Sequence, residues 1–446
     1  MKVHVISLGC PRNRVDTEMM LGHLVGAGHT VTPDPGQAHC VLINTCSFTQ
    51  PATEESIDVI REMAEWKKQD PADRRLVVAG CLPERYPKEL ATRLPEVDAF
   101  LGTGAFEQVT EVIRDAPSPK RLIATPPEQR PIRGRCVDRA RIAPLHSVYL
   151  KIAEGCSDHC TYCIIPKLRG PQRSRPLDEV VAEAQVLVET GARELILVAQ
   201  NTAAYGRDLG EGYGLETLLE HLATMSEAMP ELTWIRVLYG HPDYITERLL
   251  ETVAHHSCIC PYFDIPIQHI SEPILKRMGR GHDSTAIAVL FERIRTKVPD
   301  AALRTTLMVG FPGETEADFE RLLEFLDTVR FDHVGAFMYS DAPDLPSSRL
   351  ADQVSESVKK DRFNRLMARQ ARISRQNNRK YVGQTLDAMV DAIVSSNPAR
   401  IAARAAFQAP DIDGVIYAHN ATIAPGTLVR VLIREADHYD LAGELV

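Results

Sequence analysis

Apolar and polar positions along this chain follow two different rhythms, and the change between them divides it. Over residues 1–115, short apolar runs at "KVHVISLG", "HCVLINTC", "RRLVVAGC" and "VDAFLGTG" each lead into a stretch of helical period, such as "NRVDTEMMLGHLVGAG" or "PERYPKELATRL". Strands that alternate with helices in this way build a parallel sheet with helices on both faces. A second alternating series runs from residue 147. Its strands are "SVYLKIAEG", "ELILVAQNT", "WIRVLYG", "YFDIPIQ", "LRTTLMVGF" and "HVGAFMYS", and its helices include "LDEVVAEAQVLVETG", "ITERLLETVAHH" and "TEADFERLLEFLDTVR". Six such units, with reactive residues just beyond the strands, predict a barrel or partial barrel that works at its C-terminal mouth. From Tyr381 onward the period shortens to apolar–polar alternation with turn signals "IDG" and "APG", which predicts a small all-β barrel.

The breaks between these series fix the domain plan. Residues 116–146 carry Pro117, Pro119, Pro126, Pro127, Pro131 and Pro144, which deny helix and central strand, so this stretch is expected to be a linker. Residues 356–380 form a basic helix with nine Lys or Arg against two acids, a pattern expected of a solvated face. The expected architecture is α/β: an N-terminal parallel-sheet domain (1–115), a linker (116–146), a central partial barrel of six βα units (147–355), a connecting helix (356–380) and a small β-barrel (381–446).

Composition adds little to that plan, but the cysteines add a great deal. The 446 residues are 44% hydrophobic and 25% charged, with no apolar run long enough for a membrane span and no cleavable leader after "MKVHVISLGC". A cytoplasmic protein is expected, without membrane association. In a reducing compartment ten cysteines are not a disulfide framework. Cys156, Cys160 and Cys163 fall together in "GCSDHCTYC", at the end of the first barrel strand. Cys10, Cys46 and Cys81 are far apart in sequence, yet each follows one of three successive strands, at the sheet end where ligands collect. Thiolates suit iron-sulfur clusters or zinc. A cubane takes one thiolate per iron, so three cysteines leave one iron open for a ligand. Three zinc ligands completed by a distant His or Cys are the simpler alternative.

The C-x3-C-x2-C spacing at a barrel-strand end resembles the signature of radical S-adenosylmethionine enzymes, in which the open iron chelates the cofactor and the cluster splits it to a 5'-deoxyadenosyl radical. Tyr162 fits, since an aromatic residue is common before the third cysteine. "MVGFPGETE", with Gly310, Pro312 and Gly313, is similar to the adenine-contacting segment, although a plain strand-to-helix turn explains it locally. "VAQNT" places Gln200, Asn201 and Thr202 where that superfamily contacts the cofactor's amino group, or where a strand end needs capping.

"SLGCPRNRVDTE", "NTCSFT" and "VAGCLPERY", followed by the radical motif and a C-terminal TRAM-like barrel, resemble the methylthiotransferase family over essentially the whole chain. That resemblance implies two 4Fe-4S clusters and S-adenosylmethionine, with Cys10, Cys46 and Cys81 holding the second cluster, from which sulfur is donated. It also implies an electron donor such as a flavodoxin or ferredoxin. "SLGCPRN", "YFDIPIQHIS" and "APDIDGVIY" resemble the branch that modifies the β-carbon of an aspartate in ribosomal protein S-twelve, in preference to the branch acting on a transfer-RNA adenosine. Charge agrees: from Tyr381 on, eight acids face four arginines, which suits a basic protein partner better than phosphates. The basic helix 356–380 pulls the other way, because it could touch RNA on a ribosomal particle. A non-enzymatic iron-sulfur or zinc protein that binds RNA or ribosomes is the alternative of another class.

Three positions depart from that branch: Asn201 stands where aspartate is common, Arg12 where lysine is usual, and "YSDAPDLP" replaces a more acidic run. Other cysteines read more blandly. Cys40 reads as core, Cys136 falls in the linker, and Cys258 and Cys260, beside His255 and His256, alternate like a strand entry with both side chains on one face. His269, at the mouth end of a strand, fits either a substrate-facing or a structural role.

Overall fold

The computed structural model describes residues 1–115, 121–123, 139–142, 144–281, 283–396, 399–419 and 423–446. In the first region, β1 (Lys2–Ser7), β2 (Thr30–Val31), β3 (Cys40–Thr45), β4 (Arg75–Gly80), β5 (Ala99–Leu101) and β6 (Arg121–Ile123) form one sheet in the order β2-β1-β3-β4-β5-β6. Every pairing in it is parallel. All six residues of β3 are buried, as a strand covered on both faces requires. The chain reverses its direction of strand addition between β1 and β3, and crevices at such a switch point are where ligands bind. β6 is a correction to the expected linker: three residues between the prolines join the sheet as its edge, where a missing ladder partner is tolerated. Further on, Arg139 is anchored to Glu18 at 2.7 Å and to Glu183 at 3.0 Å, so this end of the stretch is docked.

The central region begins with β7 (Ser147–Lys151), followed by a short antiparallel pair, β8 (Ala153–Glu154) and β9 (Arg173–Ser174), that brackets the loop carrying Cys156, Cys160 and Cys163. β10 (Glu194–Val198) and β11 (Trp234–Val237) continue beside β7, while β12 (Tyr262–Asp264), β13 (Ala302–Val309) and β14 (His333–Met338) form a second parallel trio. One parallel bridge, Ile235 to Ile259, joins the halves into a partial barrel. Alternation sorts the side chains: Val148, Leu150, Leu195, Leu197, Ile235 and Leu303 pack outward under the helices. Tyr149, Ile196, Val198, Trp234, Tyr262 and Ala302 point into the lumen.

The last region, β15 (Thr385–Ser396), β16 (Ala399–Arg404), β17 (Ile416–His419), β18 (Leu428–Ala436) and β19 (Leu441–Leu445), closes into a barrel in the order β15-β16-β17-β19-β18. It docks at the beginnings of the central strands, the end away from the cysteines. Met389 and Ala409 enter the lumen cluster there, with Val15 from the helix Pro11–Gly26. Buried charges surround that apolar plug. Glu194 accepts from Arg236 at 2.7 Å and from Arg404 at 2.8 Å, Arg404 also meets Asp391 at 2.6 Å, and Tyr262 donates to Asp413 at 2.6 Å.

The basic helix, Glu356–Asn378, is a second correction. Much of its charge faces protein. Arg362 pairs with Glu314 at 2.8 Å and Glu316 at 3.2 Å, Arg365 with Glu316 and Glu320, and Arg369 with Asp327, all on or just before the helix Glu316–Val329. Periodicity records charge but not the acidic helix that meets it.

Candidate functional site: two thiol sets at the barrel mouth

Cys10, Cys46 and Cys81 follow β1, β3 and β4, which are neighbours in the sheet, so three distant positions stand side by side. Cys10 caps the N-terminus of Pro11–Gly26, where helix dipoles favour a thiolate. Gly9, with φ of +92°, permits the turn: a Cβ there would lie 2.8 Å from Cys46 Cβ. Burial would raise the Cys10 thiol, but Arg12 and Arg169 outweigh it and hold it below its ordinary value. Cys46 is pushed up to about 11 by burial and by Cys81, and Cys81 is raised by burial against the pull of Arg169.

Cys156, Cys160 and Cys163 sit in the loop between β8 and the helix Ile165–Arg169. The segment after the helix Glu272–Arg277 holds this loop in place. Thr161 N donates to Met278 O at 3.0 Å, Thr161 Oγ1 donates to Arg277 O at 2.8 Å, and Arg280 stands 4.0 Å from Cys160 Sγ. Cys156 Sγ lies 3.3 Å from Asp158 Oδ2; burial pushes its thiol well up, the Asp158 backbone N–H works against this and the Asp158 carboxylate adds to it. Burial lifts Cys163 to about 12. Free thiolates are costly in such places, and iron relieves that cost by taking the charge.

The two sets are stitched together by side chains of which the sequence singled out Arg12 alone. Arg169, 2% exposed, donates to Asp16 Oδ2 at 2.7 Å and to the Glu154 carboxylate at 3.1 and 3.2 Å. Its other nitrogen donates to Asn13 Oδ1 at 2.7 Å and reaches Cys81 Sγ at 3.6 Å. Lys151 bonds Asp16 and, at 2.9 Å, Glu154. In the opposite direction Arg12 crosses from beside Cys10 to donate to Ala199 O at 2.8 Å and to stack 4.4 Å over the Tyr239 ring. The nearest signal was the pair Arg169–Gly170 just after the third cysteine, but hydrophobic periodicity cannot see buried charge.

The expected cofactor residues divide. Gln200 donates to Glu154 at 2.8 Å, and its Oε1 is buried with no hydrogen-bond partner among the described residues. Asn201 is spoken for: it donates to Asp158 at 2.9 Å and accepts from His241 N at 3.3 Å. An aspartate at 201 would face the Asp158 carboxylate, which explains the amide there. Thr202 is fully buried and accepts from Ala199 N at 3.0 Å, so it caps the strand end. Tyr162 packs edge-on to Phe311, which packs on Tyr339. The room at Gly310 and Gly313 is taken by the Lys359 and Arg277 side chains, and Pro312 O accepts from Arg277 at 3.1 Å. At both glycines a Cβ would collide with one of these side chains, so glycine is what lets Lys359 and Arg277 approach the backbone here.

The remaining candidates are structural. Cys40 is wholly buried, and burial raises it to about 12. Cys260 lines the lumen and Cys258 packs on the outer cluster, so the pair does not share one face as expected. His269 is wholly buried, accepts from Ser271 N at 2.9 Å and is driven down to about 4 by burial, with its Nε2 3.8 Å from Glu314. Cys136 lies outside the described residues. Among the described residues no three His, Cys, Asp or Glu side chains are close enough to hold one ion together. A cubane places its thiolates further apart, one on each iron. The donor sets, three thiols each at the mouth, fit that larger group.

Three family models match in chain order: "Uncharacterized protein family UPF0004" over residues 2–102, the Radical SAM superfamily over 150–326 and the TRAM domain over 382–446. Among solved structures, the radical S-adenosylmethionine methyltransferase TsrM from Kitasatospora setae, with cobalamin and a 4Fe-4S cluster bound, matches with a TM-score of 0.57. It shares 15% identity over 78% of this chain and 77% of that one, a likeness of fold. Fold and family models together define a radical S-adenosylmethionine enzyme with two flanking domains. Full-length relatives narrow this. The ribosomal protein uS12 methylthiotransferase RimO of Geobacter sulfurreducens is 45% identical over 100% of this chain and 98% of its own length. That of Desulfosudis oleivorans is 46% identical over 100% of both. The chain belongs to the RimO family of radical S-adenosylmethionine methylthiotransferases, whose cofactors are 4Fe-4S clusters and S-adenosylmethionine.

Proposed function

We propose that this enzyme installs a methylthio group on the β-carbon of an aspartate in ribosomal protein uS12, in the cytoplasm, with electrons from a small redox protein. The observation that carries this reading is the pair of three-thiol sets held together at one barrel mouth in a chain that aligns end to end with RimO proteins. Cys156, Cys160 and Cys163 would hold one cluster, and Cys10, Cys46 and Cys81 the other. Bound there, the clusters and S-adenosylmethionine supply the radical that removes hydrogen and the sulfur that replaces it.

The chain's own side chains then have definite work. Gln200 Oε1 is free to accept from the cofactor's amino group, and Glu154 orients it by accepting from its amide. Asp158, held by Tyr244 and Asn201 at 2.9 Å each, keeps the loop beside Cys156 in shape. Burial works against the Asp158 anion, but His241, Tyr244 and Asn201 outweigh it and keep the carboxyl below its ordinary value. Arg12 and Arg169 keep the two thiol sets in register.

Mass spectrometry of uS12 and of transfer RNA from cells lacking the protein tests the substrate. Loss of the methylthio mass on a uS12 aspartate, with methylthioadenosine unchanged, is expected; the reverse pattern overturns the assignment. Anaerobic reconstitution to about eight irons per chain tests the cofactor set, and replacing all six cysteines should abolish iron uptake.

A further inference from the structure

The side chains that stand nearest the sulfur atoms differ between the two thiol sets. At the first set, Arg169 directs an N–H at Cys81 Sγ from 3.6 Å while Arg12 lies beside Cys10. At the second, Cys156 Sγ lies 3.3 Å from a carboxylate oxygen of Asp158, and Arg280 stands 4.0 Å from Cys160 Sγ. Arg169 could have satisfied itself with oxygen alone, since Asp16, Glu154 and Asn13 supply four acceptor atoms. It nevertheless extends to sulfur across a domain boundary, from a helix that begins two residues after Cys163.

A donor to a cluster thiolate stabilises the more negative, reduced state and raises the reduction potential, whereas a carboxylate nearby lowers it. Arg169 is also well placed to do this selectively: its fork bridges Glu154, beside the radical loop, to Asn13 and Cys81, so the sulfur contact is fixed relative to both sites. A lysine has no such planar fork and cannot make both sets of contacts at once.

We propose that Arg169 is a positioning residue of the sulfur-donating site: it locks the first thiol set to the radical pocket and raises the reduction potential of the cluster which that set holds. The proposal rests on Cys10, Cys46 and Cys81 being cluster ligands, so the test begins in the Cys156→Ala/Cys160→Ala/Cys163→Ala chain, where only the first set remains. About four irons per chain are expected there; absence of iron overturns the ligand reading and the proposal with it.

In that chain, a potentiometric titration followed by electron paramagnetic resonance should show a lower potential after Arg169→Gln. Arg169→Lys, which keeps the charge facing Asp16 and Glu154 and so protects folding, should lie between Arg169→Gln and the parent. In the chain with all six cysteines, the same substitutions should leave the radical cluster's potential in place. An unmoved first-cluster potential in iron-loaded Arg169→Lys, or equal shifts of both clusters, overturns the proposal while leaving the ligand assignment standing.

Discussion

The central barrel is flanked at both ends, and the two interfaces are built differently. At the mouth, the N-terminal region also uses a buried ion pair, Asp16 with Arg169 and Lys151, but adds arginine contacts to a backbone carbonyl, an aromatic ring, a side-chain amide and a thiol: Arg12 to Ala199 and Tyr239, Arg169 to Asn13 and Cys81. At the base, the C-terminal region inserts apolar residues into the lumen and surrounds them with fully buried ion pairs, Glu194 with Arg236 and Arg404. The first interface aligns reactive groups and tolerates little displacement. The second carries no chemistry and holds the scaffold closed. The C-terminal barrel, whose acidic charge suits a basic protein partner, is therefore also part of the catalytic barrel's core.

Removing one partner at the base should show the largest effect. Arg404→Ala leaves Glu194 and Asp391 short of their cation in the interior and should cost about 3–5 kcal/mol, read as a lower denaturant midpoint. If melting is unchanged, the base is not a core. Acid should open the same interface next. Burial opposes the Glu194 anion, yet Arg404 and Arg236 bring its carboxyl to about 2 from the ordinary 4.5. The unfolded chain therefore takes up the proton first as pH falls. Stability is intact above about pH 4.5 and declines toward pH 2, by about 3 kcal/mol in all, measurable by unfolding at stepped pH.

At the mouth the expected signature is reversed. Arg12→Ala should reduce methylthio product about 10–100-fold, as loss of a ligand-orienting partner does, with cleavage of S-adenosylmethionine largely kept. Equal loss of both activities would mean that Arg12 supports the whole fold. Smallest is Asn201→Asp, which sets a second carboxylate against Asp158 and should raise the apparent KM for S-adenosylmethionine a few-fold, more at neutral than at acidic pH. No change would show that the amide is not shaping the pocket.

What could be read from the chain was whatever leaves a local trace. β1, β3 and β4 announce themselves by apolar runs, and a cysteine just past each was enough to bring Cys10, Cys46 and Cys81 to one place. The helix Glu356–Asn378 was equally legible as a helix, but its role was not, because Arg362 and Arg365 are explained by Glu314, Glu316 and Glu320 on another element. The same holds for Gly310 and Gly313, whose close neighbours Lys359 and Arg277 come from other elements. Arg169 carries no periodic signal at all: a buried guanidinium is justified by partners 15, 88, 153 and 156 positions away.

The seating of Met389 and Ala409 in the lumen has a further effect on what can pass through the enzyme. With the base filled by these side chains, the end of the barrel left to a substrate is the one where both thiol sets lie. A protein partner pressed on that rim would close the reaction chamber from above.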